Sequence, residues 1–422
     1  MRLTIQLIIL LLSLILSMLG WASGQALRFG RVVEENCPEF PEYTAMHWAA
    51  MLGRGPVRYL VTYDIDGLAD RYVNAASAFI VALITNRVLC IHPAPPVHKS
   101  GPFQPPLETA FDAPFIDWTC PGLRPLEDPN LTQSSIDTAV RDWGDLVLVK
   151  GQPTPLYKLF IESNLLELEE NEADVFKLLV HRGLTVGMFK NKNHAQQVMD
   201  FGLKPETAFG CITSYLFRPN RHSFTLVSKN LMSLMTDEDV IKIGIQIRSG
   251  DKLIQHNADM TEITDAAFDR LALPYFECAE TLEADIRELN PDQKDKEIFW
   301  YLMTDSLAIR GAALKRYPEK IRHYNETEIE FFKTVTEHGL RHTLMEHWLL
   351  QQSHHHIITR TSGLGRTAAY ASLRRNSVFT MAIGSVGNLK EEGQTSKREA
   401  GRGCKVADGD TVDLTYATWS GI

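Results

Sequence analysis

The stretch Ile241-Lys242-Ile243-Gly244-Ile245-Gln246-Ile247-Arg248-Ser249-Gly250-Asp251-Lys252 decides the fold. Isoleucine at every second position is the period of a β-strand with one face on a core. The strand gives way to a polar turn at Arg248. A second apolar run, 298–303, ends at Thr304-Asp305-Ser306, which can cap a helix over 307–317. A helix over 340–353 then leads into Ile357-Ile358, Thr361-Ser362-Gly363 and a helix over 366–374. Strand, polar turn and helix recur, which predicts a doubly wound α/β domain with its site at the carboxyl ends of the strands. Two features converge on that edge: Arg248 at a strand end, and 361–365 at a helix N-terminus. Free backbone N–H groups at a helix start bind anions, and an Arg fork pairs phosphate bidentately. The edge is therefore expected to hold a diphosphate. An arginine in a structural ion pair beside an ordinary capped helix is the competing reading.

Working outward, 67–87 carries Leu68, Tyr72, Phe79, Ile80, Leu83 and Ile84 at helical spacing, which predicts one amphipathic helix. Val88 to Ile91 reads as a short buried strand, and the prolines between 93 and 114 mark a long irregular loop. The acidic, Leu-rich segment 162–174 is expected to be a solvated helix. No internal repeat is present. At 422 residues the length prior gives two or three domains. Apolar residues make up 44% and charged residues 23%, which excludes a disordered tail, a collagen-like repeat and a polytopic membrane protein. The net charge of −9 argues against nucleic acid as a partner, because such binders need a basic face.

The first residues stand apart. Arg2 precedes a nearly unbroken Leu/Ile stretch over 3–19, followed by Ala22 and Gly24, small residues at cleavage-site spacing. One cation and an apolar run fit either a cleaved signal peptide or a type II membrane anchor. Both deliver the chain to the secretory lumen, through a membrane contact at 3–19 if the leader stays attached. Asn130-Leu131-Thr132 and Asn325-Glu326-Thr327 are then glycosylation sequons. The six cysteines, Cys37, Cys90, Cys120, Cys211, Cys278 and Cys404, allow fifteen pairings. None has CxxC spacing, and Cys90, in an apolar run, reads as a buried thiol.

Four motifs in order resemble the GDP-fucose fucosyltransferases of the GT-B fold, with α1,6-, xyloglucan-type and O-fucosyltransferase kin. Gln246 to Lys252 is similar to their H-x-R-R-x-D-K. Tyr301-Leu302-Met303-Thr304-Asp305 with Lys315-Arg316-Tyr317-Pro318 is similar to Y-L-A-T-D…K-x-Y-P. Glu346-His347-Trp348-Leu349-Leu350 through Ser362 and Arg366 resembles D/E-x-x-x-L…S-S-x-x-x-R. Ala78 to Arg87 resembles the xyloglucan-type A-F-x-x-A-L-L-T-N-R helix.

The resemblance implies an α/β chain with two Rossmann-like domains facing a cleft. An acceptor-side domain would span 25–235, a nucleotide-sugar domain 236–390, and a tail 391–422. It implies an inverting transfer of fucose from GDP-fucose to a glycan or glycoprotein hydroxyl, in the Golgi. Carried over by residue, Arg248 would hold the β-phosphate, and Ser362 with Gly363 would complete the phosphate cradle. Glu346 would accept guanine's N–H groups, and Asp305 would orient the nucleoside side. Asp251 and Arg366 would support them. Eight residues after Arg248 the family's acid is replaced by His256, the implied base, with Asp259 and Glu262 nearby; a loop histidine without a role is the alternative.

The departures are specific. Gln246 stands for the first-motif His and Ser249 for the second Arg, which argues against an α1,6 linkage and for the xyloglucan type. Ala69 and Asp70 replace Gly and Asn of G-x-G-N-R, leaving Gly67 and Arg71.

Three D-x-D triplets, at Asp64, Asp237 and Asp408, match the carboxylate pair of metal-dependent transferases. The first precedes a helix and reads as its cap. His354-His355-His356, if in a strand, point to opposite faces and cannot share one ion. No metal and no other cofactor is expected. The rival readings are a lumenal glycan- or nucleotide-binding homologue without turnover, and another phosphate-handling enzyme such as a sulfotransferase. The lack of a G-x-x-x-x-G-K-[ST] loop lowers the last.

Overall fold

Parallel pairing sorts the strands into two sheets in a computed structural model. It describes residues 37–54, 58–64, 67–93, 105–121, 132–137, 162–179, 185–249, 262–324, 336–360, 362–374 and 378–381. In the amino half, helix α1 (Pro41–Met51) precedes β1 (Tyr59–Asp64), α2 (Leu68–Thr85) and β2 (Val88–Pro93). Then come β3 (Phe111–Asp112), β4 (Gln133–Asp137), β5 (Val175–Leu179), helix α3 (Ala208–Leu216) and β6 (Arg218–Pro219). The first sheet has the order β2-β1-β5-β4, every pair parallel. A short antiparallel pair joins β3 to β6.

The carboxyl half runs β7 (Ile241–Ile247), α4 (Leu273–Leu289), β8 (Ile298–Thr304), α5 (Leu307–Arg316), β9 (Ile321–His323), α6 (Glu337–Gln351), β10 (His355–Thr359), α7 (Gly363–Ala371) and β11 (Val378–Met381). Its sheet order is β11-β10-β7-β8-β9, all parallel. Within that sheet the chain starts in the middle at β7, works out to β9, then returns to β10 on the other side. That is the doubly wound order, and the reversal between β7 and β10 makes the crevice at their carboxyl ends a ligand site.

The alternating isoleucines do what their period predicts: Ile241, Ile243, Ile245 and Ile247 form a core with Tyr275, Phe276 and Ala279 of α4. The polar positions between them are buried as well, because helices cover the opposite face of the sheet. Helix α2 departs from expectation in the same direction. It is not amphipathic: every residue from Arg71 to Thr85 is buried. Its apolar length would suffice to cross a bilayer, but it is enclosed by protein. Phe79 of α2 meets Phe40, Tyr43 and Tyr215 at ring distances of 5.2, 5.1 and 5.1 Å. The same hydrophobic cluster includes Tyr301, Leu344 and Leu350 of the carboxyl half, so one core serves both sheets.

Two further expectations are corrected. Segment 162–174 is not a solvated helix but a series of turns with one 3₁₀ turn at Glu169–Glu172, and Leu165 and Ala173 are buried. Leu165 enters the core and Leu168 packs against it, while Leu166 stays exposed, so no helical stripe forms. Cys90 is not a buried thiol: it pairs with Cys120, as Cys37 does with Cys211. The chain after the Pro-rich stretch returns over β2, where Ile91 N donates to Trp118 O at 2.7 Å, and so delivers Cys120 to Cys90. Cys278 is also disulfide-bonded. The leader at 3–19, Cys404 and the sequon asparagines Asn130 and Asn325 lie outside the described residues.

Candidate active site

Arg248 follows β7 directly. Its backbone N–H donates to Thr359 Oγ1 at 2.9 Å, which ties the end of β7 to the end of β10. Its Nη1 lies 3.2 Å from Asp305 Oδ2, with 19% of the arginine side chain and 6% of the aspartate exposed. Asp305, just past β8, uses its other oxygen as well: Oδ1 accepts from Ser249 N at 2.7 Å and from Ser249 Oγ at 2.8 Å. Ser249 thus fixes the carboxylate that fixes Arg248.

Helix α7 begins three residues earlier than the pattern predicts. Ser362 is its N-cap, accepting from Gly365 N at 3.3 Å, and the first intrahelical bond runs from Arg366 N to Ser362 O. The amides of Gly363 and Leu364 therefore precede the hydrogen-bonded turn, the arrangement that binds anions. A Cβ added to Gly363 would lie 3.1 Å from Ala69 Cβ, so the starts of α7 and α2 abut. Two positive helix ends therefore lie side by side. Arg366 is buried at 3% exposure, and burial lowers its guanidinium below the usual range.

Glu346, on α6, is engaged elsewhere. Its Oε1 accepts from Arg310 Nη2 at 2.9 Å, and Arg310 also donates to Tyr324 O at 3.4 Å. Tyr301 lies close by, its hydroxyl pushed well above the ordinary range by burial and then by the Glu346 charge. The next residue, His347, bonds Thr367 Oγ1 at 3.0 Å and stacks on Tyr72 at 4.9 Å, linking α6, α7 and α2. Burial lowers it to about 3, so it is neutral.

The structure therefore brings Arg248, Asp305, Ser362 and Gly363 to one edge and gives Glu346 a separate anchor. Gly250, Asp251, Lys252, His256, Asp259 and Thr361 lie outside the described residues; Glu262 is exposed. The sequence reading missed Thr359, Tyr275 and Arg310. Arg310 had one signal, an arginine on the apolar face of α5 beside Ala308, Ile309 and Ala313.

The described D-x-D residues have other occupations, while Asp66 and the triplet at Asp408 lie outside the described residues. Asp64 is bound to Arg71 at 2.9 Å and to Leu107 N. Asp237 accepts from Asp239 N and precedes β7, at the opposite end of that strand from Arg248. His354 accepts from Lys242 N and His356 pairs with Leu350 O, so neighbouring histidines have unrelated partners.

No protein-family model matches the chain. Fucosyltransferase 3 of Arabidopsis thaliana is 27% identical over 212 residues, covering 48% of this chain but only 38% of that protein's length. An arginine-to-lysine mutant of Arabidopsis thaliana FUT1 in complex with GDP matches with a TM-score of 0.52 at 15% identity, covering 81% of this chain and 78% of that one. The fucosyltransferase NodZ from Bradyrhizobium matches with a TM-score of 0.43 at 14% identity, covering 78% and 96%. The FUT1 match shows the fold, the GT-B arrangement of two Rossmann-like sheets. The chain is similar to fucosyltransferases in sequence over about half its length, in line with its motifs.

Proposed function

We propose that this chain is a GDP-fucose-dependent fucosyltransferase, moving fucose with inversion to a hydroxyl of a glycan or glycoprotein. The observation that carries the reading is the Arg248–Asp305 pair beside the N-terminus of α7, at the reversal point of a doubly wound sheet. Residues 25–235 would serve the acceptor and 236–390 the nucleotide sugar.

When the sugar–phosphate bond breaks, negative charge grows on the departing diphosphate. Arg248 and the amides of Gly363 and Leu364 stand at a place that offsets it, held before the donor arrives. Asp305 acts through Arg248: its carboxylate fixes the guanidinium at the strand end. Glu346, oriented by Arg310, would accept from guanine N1–H and N2–H₂, a pairing that adenine does not offer. Asp251 and Arg366 would support this set, and His256 would take the acceptor proton as general base. The positive groups balance the diphosphate without a resident divalent cation in this reading.

Two disulfides support delivery to an oxidising compartment. The site would be the Golgi membrane through 3–19, or outside the cell if the leader is cleaved, with Asn130 and Asn325 as glycan carriers.

The test is an acceptor array with GDP-fucose, reading released GDP. Wild type should turn over on a glycan acceptor, and Arg248→Ala should not. Normal turnover in the variant overturns the assignment. GDP binding without turnover on any acceptor points to the inactive homologue that Ser249 makes conceivable.

A further inference from the structure

Thr359 Oγ1 is the meeting point of three groups: Arg248 N at 2.9 Å, Tyr275 Oη at 2.8 Å and Gln246 O at 3.3 Å. A hydroxyl has one hydrogen and two lone pairs. Arg248 N can only donate and Gln246 O can only accept. One assignment satisfies everything: Thr359 donates to Gln246 O and accepts from Arg248 N–H and from Tyr275 O–H. Burial raises the Tyr275 phenol well above its ordinary value, so its proton is present to be donated.

The contact is reciprocal. Thr359 N donates to Gln246 Oε1 at 3.3 Å, so Gln246 holds the main chain of the residue whose side chain holds Arg248. The same Oε1 lies 2.4 Å from where a Cβ on Gly365 would stand. The glutamine amide therefore fills the space beneath the first turn of α7, and a side chain at 365 would displace it. Gln246 is the position at which this chain departs from the family's histidine.

We infer that Gln246, Thr359, Tyr275 and Gly365 are a positioning unit that sets the spacing between Arg248 and the N-terminus of α7, and so the grip on a nucleoside diphosphate. The inference rests on the diphosphate reading above. None of the four is required to touch the ligand. They act by locking β7, β10, α4 and α7 in one register.

The experiment measures GDP affinity by calorimetry on the full chain, below the melting temperature of every variant. Thr359→Val, which keeps shape and loses the hydroxyl, should weaken GDP binding about tenfold, and Thr359→Ser should stay within about twofold of wild type. Gly365→Ala should weaken binding about tenfold in the wild-type background but less than about twofold when Gln246→Ala has emptied the space, a non-additivity that general loss of stability does not produce. Wild-type affinity in Thr359→Val, failure of Thr359→Ser to restore binding, or simple additivity of the 246 and 365 changes overturns the inference. A wild type that binds GDP but transfers no fucose removes the fucosyltransferase reading alone, because the affinities still decide on the positioning unit. A wild type that binds no GDP removes both.

Discussion

Each sheet ends in an arginine–aspartate pair at the carboxyl end of a strand, and the two pairs differ in what surrounds them. In the amino half, Arg71 Nε lies 2.9 Å from Asp64 Oδ1 with 0% and 3% of the side chains exposed. Arg71 also donates to Pro105 O, and Asp64 accepts from Leu107 N, so every direction is closed by protein. In the carboxyl half, Arg248 keeps 19% of its side chain exposed, at the carboxyl edge of the sheet from which α7 also starts. The residue pairing is the same and the burial is not. Closed on all sides, the first pair is a clasp that fastens the 105–107 segment over β1. Partly open to solvent, the second is the pair proposed above to meet the diphosphate.

The largest expected effect breaks the clasp. Arg71→Ala leaves a buried carboxylate without its partner, which destabilises by about 3–5 kcal/mol at pH 8. Chemical denaturation should register it, and unchanged stability would dissolve the distinction between the pairs. Next is Arg248→Ala, expected to lower transfer by about 10²–10³ through lost stabilisation of the leaving diphosphate, with little change in melting temperature. A large melting shift there would make Arg248 a second clasp.

Ser249→Ala tests the restraint on the open pair. Losing the hydroxyl bond to Asp305 Oδ1 removes about 1 kcal/mol of ordering, read as about a fivefold rise in the donor's KM with smaller change in kcat. The smallest effect is in pH. Burial pushes the Asp64 carboxyl up to about 7, outweighing the opposing pull of Arg71. A raised pKa means that the folded state binds the proton more tightly than the unfolded chain. This group's contribution is therefore fully present below the ordinary value near 4 and is lost as pH rises to about 7. Wild type should lose stability relative to Asp64→Asn over that interval. Parallel melting curves against pH would remove Asp64 as the cause.

Legibility followed periodicity. The strand at 241–247 is readable because isoleucine recurs at every second residue, and Thr304-Asp305-Ser306 is readable as the cap of the helix at 307 from its place after an apolar run. The start of α7 was misjudged because Gly363 and Gly365 are poor helix formers locally. Their conformation is enforced by Ser362 and by the close approaches to Ala69 and Gln246. The helical spacing of Leu68, Tyr72, Phe79, Ile80, Leu83 and Ile84 predicts a solvent face for α2, yet Arg71, Asn74 and Ser77 do not reach solvent. They are buried with partners: Arg71 on Asp64, Asn74 on Thr62, Ser77 on Val73 O.

The sequence by itself determined the strand–turn–helix rhythm of the carboxyl half, the position of Arg248 at a strand end and the four motifs in order, because these depend on local spacing. Tertiary structure alone decided which aspartate meets which arginine, which cysteines of the described pairs join, and that Thr359 and Tyr275 belong to the site. Those choices pair residues far apart in the chain, as with Tyr275 and Thr359, 84 positions apart. Such partners become neighbours only when the doubly wound sheet returns to lay β10 against β7.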